Sequence, residues 1–228
     1  MQAIVLLHGA TGSKEQFGSL VQQLNDQYRL HCINFSGHGG EMMPGNDFSI
    51  PAFAEDVLRY LDQQGLKKVH LLGYSMGGYV ALHLASHHPG RIEKIITLAT
   101  KFYWDETIAA REAKLLDPKK IEEKVPAFAR QLKQRHGDDR WEMLLFKTAA
   151  LLNSLGKNPD LKTEDFARIE LPVLLLLGDR DNMVTLEETL AVFKQLKAGQ
   201  LGILPGTGHL FEQVDLQRLI FEIKQFIN

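Results

Sequence analysis

The pentapeptide Gly-Tyr-Ser-Met-Gly at residues 73–77 lies between an apolar run and a stretch with helical spacing. A serine at this point of a strand–turn–helix is typical of a displayed nucleophile, because the tight turn aims its hydroxyl out of the sheet. Gly73 and Gly77 have no Cβ, so the strand and the helix can approach each other closely. The amide of Met76 lies at the predicted helix N-terminus, where unpaired N–H groups favour negative charge. Ser75 is therefore the candidate nucleophile, and Met76 N–H is a candidate donor to an oxyanion.

A serine hydroxyl is a weak nucleophile at neutral pH and needs a neighbouring base. Among the nine histidines, His209 follows the last predicted strand in the turn-forming sequence Pro-Gly-Thr-Gly-His. This position puts its imidazole at the carboxyl edge of the predicted sheet, where Ser75 also lies. Most of the other histidines lie inside predicted strands or helices, and His31 and His136 belong to no motif. His209 is therefore the candidate base.

The base in turn needs a carboxylate that holds its tautomer and stabilises the imidazolium as it forms. The loop after the fifth predicted strand has the sequence Gly-Asp-Arg-Asp-Asn-Met-Val at residues 178–184. It offers two candidates at the correct edge of the sheet, Asp179 and Asp181. A serine, an aspartate and a histidine that each follow a strand are much rarer by chance than the pentapeptide alone.

An oxyanion needs a second donor, and the loop after the first predicted strand, residues 8–13, is placed to supply it. The amide of Ala10 is the first candidate and that of Thr11 the second, while we expect His8 to stabilise the loop. Residues 34–40 form another glycine-rich turn at this edge. They contain neither the dinucleotide-binding nor the phosphate-loop pattern, which argues against nucleotide binding.

Short apolar runs alternate with helical patterns, which is typical of an α/β protein whose parallel sheet has helices on both faces. The runs are continuously apolar, as expected of strands that are covered on both sides. Residues that favour helix N-termini precede four helical stretches, namely Ser13, Ser49, Thr185 and Asp215. Ser13 with Gln16 and Thr185 with Glu188 also match the spacing of a capping box. The predicted strands are Ala3–Leu7, Leu30–Phe35, Val69–Leu72, Ile92–Leu98, Val173–Leu177 and Leu201–Leu204.

Residues 101–168 interrupt this alternation, because they show helical spacing and no strand. We predict that this segment, called the lid segment below, is a helical insertion into a core formed by residues 1–100 and 169–228. An insertion after the carboxyl end of a strand lies over the edge where α/β proteins bind ligands. A pair of helices that only extends the core is the alternative. The aromatic side chains expected to line an acyl pocket, rather than only the interior of the lid, are Phe102, Tyr103, Trp104, Trp141 and Phe146.

The bulk composition is that of an ordinary globular domain. The chain has 228 residues, of which 44% are hydrophobic and 24% charged, and its net charge is −2. This balance gives no sign of nucleic-acid binding or of an anionic membrane surface. The single cysteine excludes an internal disulfide and a zinc site of several thiolates, and neither a metal nor another cofactor is expected. With no apolar stretch of membrane-spanning length and no basic leader, we expect a cytoplasmic protein, while its oligomeric state stays open.

These motifs together resemble the α/β hydrolase superfamily over essentially the whole chain. In that family the acid is usually the aspartate of Gly-x-x-Asp-x-x-Val, which implies Asp181, with Asp179 and Asp105 as lesser alternatives. The family sheet has eight strands, and this sequence shows no counterpart of the first two, including the antiparallel one, so about six parallel strands are expected. The matching pieces are His8-Gly9, Ser36–Gly39, Gly73–Gly78, Gly178–Val184 and Gly208-His209.

The resemblance implies a serine hydrolase, most simply a carboxylic ester hydrolase that acts on a small-molecule acyl substrate. The alternative is the same catalytic triad used for carbon–carbon bond hydrolysis, or for a lyase reaction like that of the menaquinone-pathway synthase. In that synthase an arginine usually follows the Ser-Met-Gly-Gly sequence, whereas this chain has Tyr79 there. Tyr79 is therefore a candidate substrate contact and argues against the lyase. A non-catalytic ligand receptor on the same fold is a further alternative.

Overall fold

The computed structural model describes residues 1–228 and contains one six-stranded sheet. The strand order is β2-β1-β3-β4-β5-β6, and every neighbouring pair is parallel. All six predicted strands are present, which confirms the predicted sheet. The strands are β1 (Ala3–Leu7), β2 (Arg29–Ile33), β3 (Val69–Tyr74), β4 (Ile92–Leu98), β5 (Val173–Gly178) and β6 (Gly199–Leu204).

Ten α-helices connect and cover these strands. Five of them, α4 to α8, lie between β4 and β5, within the lid segment. Because all the strands run the same way, the loops after β1, β3, β5 and β6 meet at one edge of the sheet. The helices are α1 (Gly18–Leu24), α2 (Ile50–Gln63), α3 (Met76–His87), α4 (Glu106–Ala113), α5 (Pro118–Lys124), α6 (Pro126–His136), α7 (Trp141–Lys157), α8 (Thr163–Arg168), α9 (Leu186–Gln195) and α10 (Leu216–Ile227).

Side-chain capping marks the start of several helices, including three that the sequence predicted. The Ser49 hydroxyl accepts from Ala52 N–H before α2, and the carboxylate of Asp215 accepts two backbone N–H groups before α10. Thr185 forms a capping box with Glu188 before α9, as predicted from the sequence. The capping box predicted at Ser13 was wrong. Ser13 precedes a short 3-10 helix, and its hydroxyl caps no backbone N–H group.

Alternate side chains of each strand pack on opposite faces of the sheet, as the pleat requires. In β1, Val5 and Leu7 belong to the apolar cluster under α2 and α3, which continues into the lid segment. Ile4 and Leu6 belong to the cluster under α1 and α10. Both faces are therefore buried, which explains why the strands are apolar without alternation.

The lid segment shares its interior with the core. Leu132, Trp141 and Leu144 are fully buried and belong to the same cluster as Val5 of the central sheet. The lid segment is thus packed onto the carboxyl edge of the sheet through a continuous apolar interior. No helix of the structure combines the length and the apolar character that crossing a membrane requires.

Candidate active site

The turn between β3 and α3 holds Ser75 in a backbone conformation that L-residues rarely adopt, with φ 51° and ψ −119°. Its N–H donates to Leu98 O of the neighbouring strand at 2.8 Å, which fixes the turn to the sheet. A Cβ added to Gly73 would come within 2.4 Å of Gly77 C, and one added to Gly77 within 2.2 Å of Leu7 O. Only glycine fits these two positions, as the sequence predicted.

The side chain of Ser75 meets that of His209. Ser75 Oγ lies 3.4 Å from His209 Nε2, which is the outer limit of a hydrogen bond. Such serine–histidine contacts shorten when a substrate is bound. The backbone carbonyl of His209 accepts a hydrogen bond from the Tyr74 hydroxyl at 3.1 Å. Burial raises the pKa of Tyr74, so the phenol stays protonated and keeps this donor.

The other ring nitrogen of His209 meets a buried carboxylate. His209 Nδ1 donates to Asp181 Oδ2 at 2.9 Å, and Asp181 Oδ1 accepts from the backbone N–H groups of Met183 at 2.8 Å and Val184 at 2.9 Å. Burial acts to raise the pKa of Asp181, but the hydrogen bonds from His209, Val184 and Met183 outweigh it and lower the pKa. Asp181 is therefore held as a carboxylate in a fixed orientation.

The two other aspartates weighed from the sequence do not contact His209. Asp179 is exposed, and its Oδ1 accepts from Thr207 N–H at 3.2 Å, which ties the loop after β5 to the loop after β6. Asp105 caps α4, because its carboxylate accepts from Ile108 N–H at 2.7 Å. Of the three carboxylates, only Asp181 is placed to orient the imidazole of His209.

Backbone N–H groups next to Ser75 are free to bind an anion. Met76 is the first residue of α3, so its N–H has no intrahelical acceptor. The amides of Ala10 and Thr11 are also without an acceptor. The loop of residues 8–13 approaches the nucleophile closely, since a Cβ on Gly9 would lie 3.3 Å from Ser75 Cβ. The predicted donors therefore lie on the two loops that flank the serine.

Ser75 and His209 open into a cavity of about 1010 Å³ between the carboxyl edge of the sheet and the lid segment. From the lid segment, α4, α6 and α7 contribute side chains to its wall. Half of the lining residues are hydrophobic, and the polar ones include Gln131 and Arg135 of α6. Apolar lining comes from Ile50, Met76, Trp104, Leu115, Leu116, Phe128, Leu151, Leu152, Leu155, Met183, Val184 and Leu210.

Most of the aromatic residues predicted to form the acyl pocket do not reach this cavity. Of these, only Trp104 lines it. Phe102 and Trp141 are buried in the apolar cluster, while Phe146 is 55% exposed on the outer face of α7. Tyr103 is also exposed. Helical spacing identifies which residues share a face, but it leaves open whether that face meets the cavity, the core or solvent.

Two contacts hold the ends of the lid segment on the core. At its start, Lys101 Nζ donates to Met183 O at 2.9 Å and pairs with Glu188 at 3.2 Å. At its end, the Tyr79 hydroxyl accepts from Leu161 N–H at 2.9 Å. Tyr79 also lines the cavity, but its hydroxyl is engaged by the lid segment. The sequence offered no signal for either anchor, because both join residues far apart in the chain.

The family assignment follows from comparison with known proteins. A family model described as alpha/beta hydrolase fold matches residues 2–211. A thermophilic esterase from Thermogutta terrifontis shares the fold with a TM-score of 0.82 at 21% identity, covering 100% of this chain and 89% of that one.

Two of the curated relatives that match in sequence illustrate the range of activities. The "Putative 2-succinyl-6-hydroxy-2,4-cyclohexadiene-1-carboxylate synthase" of Bacillus subtilis (strain 168) is 31% identical, covering 91% of this chain and 84% of its own. The pimeloyl-[acyl-carrier protein] methyl ester esterase of Aeromonas salmonicida (strain A449) is 40% identical over 98 residues, which are 42% of this chain and 37% of its own. With the family model spanning nearly the whole sequence, the chain belongs to the α/β hydrolase family and is a hydrolase of that fold.

Proposed function

We propose that this protein is a carboxylic ester hydrolase that works through an acyl-enzyme on Ser75. The observation that carries the proposal is the continuous chain of contacts from Ser75 Oγ to His209 Nε2 at 3.4 Å and from His209 Nδ1 to Asp181 at 2.9 Å. The unpaired amides beside the serine support it, since acyl transfer needs donors where negative charge develops.

In the first half of the reaction, Ser75 Oγ attacks the ester carbonyl carbon while its proton passes to His209 Nε2. The carbonyl oxygen becomes an oxyanion, which the amides of Met76 and Ala10 bind. Asp181 holds Nδ1–H of His209 and stabilises the imidazolium. Collapse of the intermediate breaks the bond to the alcohol, which leaves with the proton from His209 and gives an acyl-serine.

In the second half, His209 takes a proton from a water molecule that attacks the acyl carbon. The same amides bind the second oxyanion, and Ser75 leaves with the proton returned by His209. The products are a carboxylic acid and the regenerated enzyme. No step requires a cofactor beyond these side chains and amides.

The cavity supports a small-molecule acyl substrate with apolar character. Its apolar wall includes α7 and the residues Leu115 and Leu116, which follow α4, and its volume of about 1010 Å³ is at the upper end of ordinary ligand pockets. The partial likeness to a methyl ester esterase supports an ester as the scissile group. We further propose that the lid segment, residues 101–168, covers this cavity over the core of residues 1–100 and 169–228.

The proposal is tested by turnover of p-nitrophenyl acetate, butyrate and octanoate, together with labelling by a fluorophosphonate probe. The wild type is expected to hydrolyse these esters, and Ser75→Ala to lose turnover by roughly 10³-fold or more. Ser154→Ala, on the exposed surface of α7, serves as the matched control and should keep wild-type rates. An inactive wild type, or a Ser75→Ala variant with unchanged turnover, would contradict the proposal.

One observation favours a second candidate, carbon–carbon bond cleavage or elimination with the same triad. The synthase-like relative from Bacillus subtilis covers 91% of this chain, far more than the esterase relative does. Against it, the position after Ser-Met-Gly-Gly carries Tyr79, whose hydroxyl contacts Leu161 of the lid segment. Turnover of activated diketones or carbon acids in the absence of any esterase activity would favour this candidate over ester hydrolysis.

A further inference from the structure

Three successive carbonyl groups of the loop 8–13 are each bound by a histidine from a different part of the chain. His8 Nδ1 lies 2.8 Å from Gly9 O, and His38 Nε2 lies 2.7 Å from Ala10 O. Burial lowers the pKa of both histidines, so both rings are neutral and each has one N–H to donate. His8 Nε2 accepts from Phe35 N–H, so its Nδ1 is the donor to Gly9 O. His38 Nδ1 also lies 3.1 Å from Ser36 O, and we assign its one proton to Nε2, which has the shorter contact. Histidine side chains therefore hold the carbonyl groups of the loop that carries the candidate oxyanion donor.

The third of these histidines, His136, comes from the lid segment. It is the last residue of α6, and its Nε2 lies 3.0 Å from Thr11 O. Its Nδ1 accepts from Gly39 N–H at 3.0 Å, so the proton of the neutral ring resides on Nε2, which donates to Thr11 O. Arg135 Nη1 donates to the same carbonyl at 2.9 Å. One end of α6 thus joins two loops of the core.

These bonds reach the oxyanion donor through rigid peptide planes. In a trans peptide the C=O and the following N–H point in opposite directions. The hydrogen bond from His136 holds Thr11 O. The peptide plane of Thr11 O also contains Gly12 N–H, which donates to Gly9 O at 3.0 Å. The plane that contains Gly9 O also contains Ala10 N–H, which is thereby turned away from Gly9 O. Ala10 N–H is thus linked to His136 through two hydrogen bonds and two peptide planes, while His8 Nδ1 binds the same carbonyl, Gly9 O, directly.

We propose that the C-terminal end of α6, through His136 and Arg135, positions the oxyanion hole, so that the hole is complete only when the lid segment is seated on the core. The inference rests on the proposed function, because it concerns the donor of that reaction. An oxyanion donor acts on charge that appears in the transition state, so its misplacement lowers kcat and leaves KM nearly unchanged. If His136 served packing alone, its replacement would not lower kcat selectively while KM stayed the same.

Two amide substitutions at His136 distinguish its hydrogen bond to Thr11 O from its hydrogen bond with Gly39 N–H. In His136→Gln the longer side chain reaches the position of Nε2 and can still donate to Thr11 O. In His136→Asn the shorter side chain reaches only the position of Nδ1, so it keeps the bond from Gly39 N–H and loses the one to Thr11 O. We expect His136→Asn to lower kcat for p-nitrophenyl butyrate by about 10–100-fold with KM within about twofold. His136→Gln should stay within about threefold of the wild type.

A second readout is the affinity for a trifluoromethyl ketone, which forms an oxyanion with the serine. Its inhibition constant should rise in His136→Asn in parallel with the fall in kcat, and stay near the wild-type value in His136→Gln. His88→Phe, at the exposed end of α3, is the control for replacing a histidine away from the site. Thermal unfolding reports whether each variant is folded.

Equal kcat values for His136→Asn and His136→Gln, whether both high or both low, would overturn the inference. If His136→Asn does not fold, Arg135→Met removes the other donor to Thr11 O: a lower kcat with unchanged KM supports the inference, and a wild-type kcat overturns it. A wild type that neither turns over esters nor reacts with the fluorophosphonate overturns the proposed function and this inference with it. An active wild type with equal amide variants overturns the inference alone.

Discussion

The surroundings of Asp181 suit one role, which is to hold the imidazole of His209 in a fixed orientation. Its side chain is fully buried, one oxygen faces His209, and the other is occupied by two backbone N–H groups. An amide in its place would fit the same space but present N–H groups where acceptors are needed. The tautomer of His209 would then be inverted, with its proton facing Ser75.

We therefore expect Asp181→Asn to fold normally and to lose about 10³–10⁴-fold in kcat for p-nitrophenyl esters. The matched control is Asp179→Asn, since Asp179 is exposed and its side chain needs only an acceptor for Thr207 N–H. That variant should stay within about threefold of the wild type, because an asparagine oxygen accepts as well. Similar losses in the two variants would mean that Asp181 has no special part in the reaction.

At the scale of single residues, the chemistry could be predicted from the sequence where a short motif carries it. The motifs around Ser75, Asp181 and His209 identified three side chains that the fold brings into contact. The cavity lining was less predictable, as Phe146 and Trp141 illustrate, because it depends on how the lid segment packs. His136 belongs to no motif, and its contacts with Thr11 and Gly39 exist only in the folded protein.

At the scale of elements, the junction of β3 and α3 depends on two glycines. A Cβ on Gly73 would lie 2.4 Å from the backbone of Gly77, where nothing flexible can yield. We expect Gly73→Ala to lower the free energy of unfolding by about 2 kcal/mol or more, measured by urea denaturation. Gly18→Ala is the control, since Gly18 has helical angles and no atom near its would-be Cβ.

Gly18→Ala should leave the stability unchanged or raise it by up to about 1 kcal/mol. Equal effects of the two substitutions would show that close packing between β3 and α3 is not what excludes a side chain at Gly73.

The end of the lid segment is anchored by one phenolic hydroxyl. Tyr79→Phe leaves Leu161 N–H buried without an acceptor, so we expect a loss of about 1–3 kcal/mol in the free energy of unfolding. Tyr103→Phe removes an exposed hydroxyl and should change the stability by less than about 0.5 kcal/mol. A Tyr79→Phe protein as stable as the wild type would show that this contact does not hold the lid segment.

The elements themselves were more predictable than their contacts. Continuous apolar runs gave the strand positions because both faces of the sheet are covered, and the caps at Ser49, Thr185 and Asp215 gave helix starts. The cap at Ser13 failed because a 3-10 helix follows it, whose last residue, Phe17, is buried in the cluster under α1 and α10. Local sequence patterns predict helices and strands, whereas the contacts between these elements depend on residues that are far apart in the sequence.

For the whole molecule, buried histidines predict a loss of stability in mild acid. Burial is the largest cause that lowers the pKa of His8, His38 and His136, the last from 6.5 to about 4. Between these two values the unfolded chain binds protons that the folded protein does not. The stability that these groups contribute is therefore fully present above pH 6.5 and is lost as the pH falls toward 4.

The urea midpoint should accordingly fall from pH 6.5 to pH 5, a range in which carboxylates stay mostly ionised. Each such histidine lowers the free energy of unfolding by at most about 1.4 kcal/mol for each pH unit of this fall. His136→Gln removes one of them, so its stability should depend less steeply on pH than that of the wild type. A midpoint that is constant over this range would contradict the burial of neutral histidines.

The proposed reaction depends on Ser75 as a nucleophile that His209 activates, and covalent labelling tests this most directly. The intact protein would be treated with a fluorophosphonate and the modified peptide located by mass spectrometry. We predict a single adduct on Ser75 that forms rapidly in the wild type, more slowly by roughly 10³-fold in His209→Ala, and not at all in Ser75→Ala. An adduct on another residue, or labelling that persists in Ser75→Ala, would contradict the account.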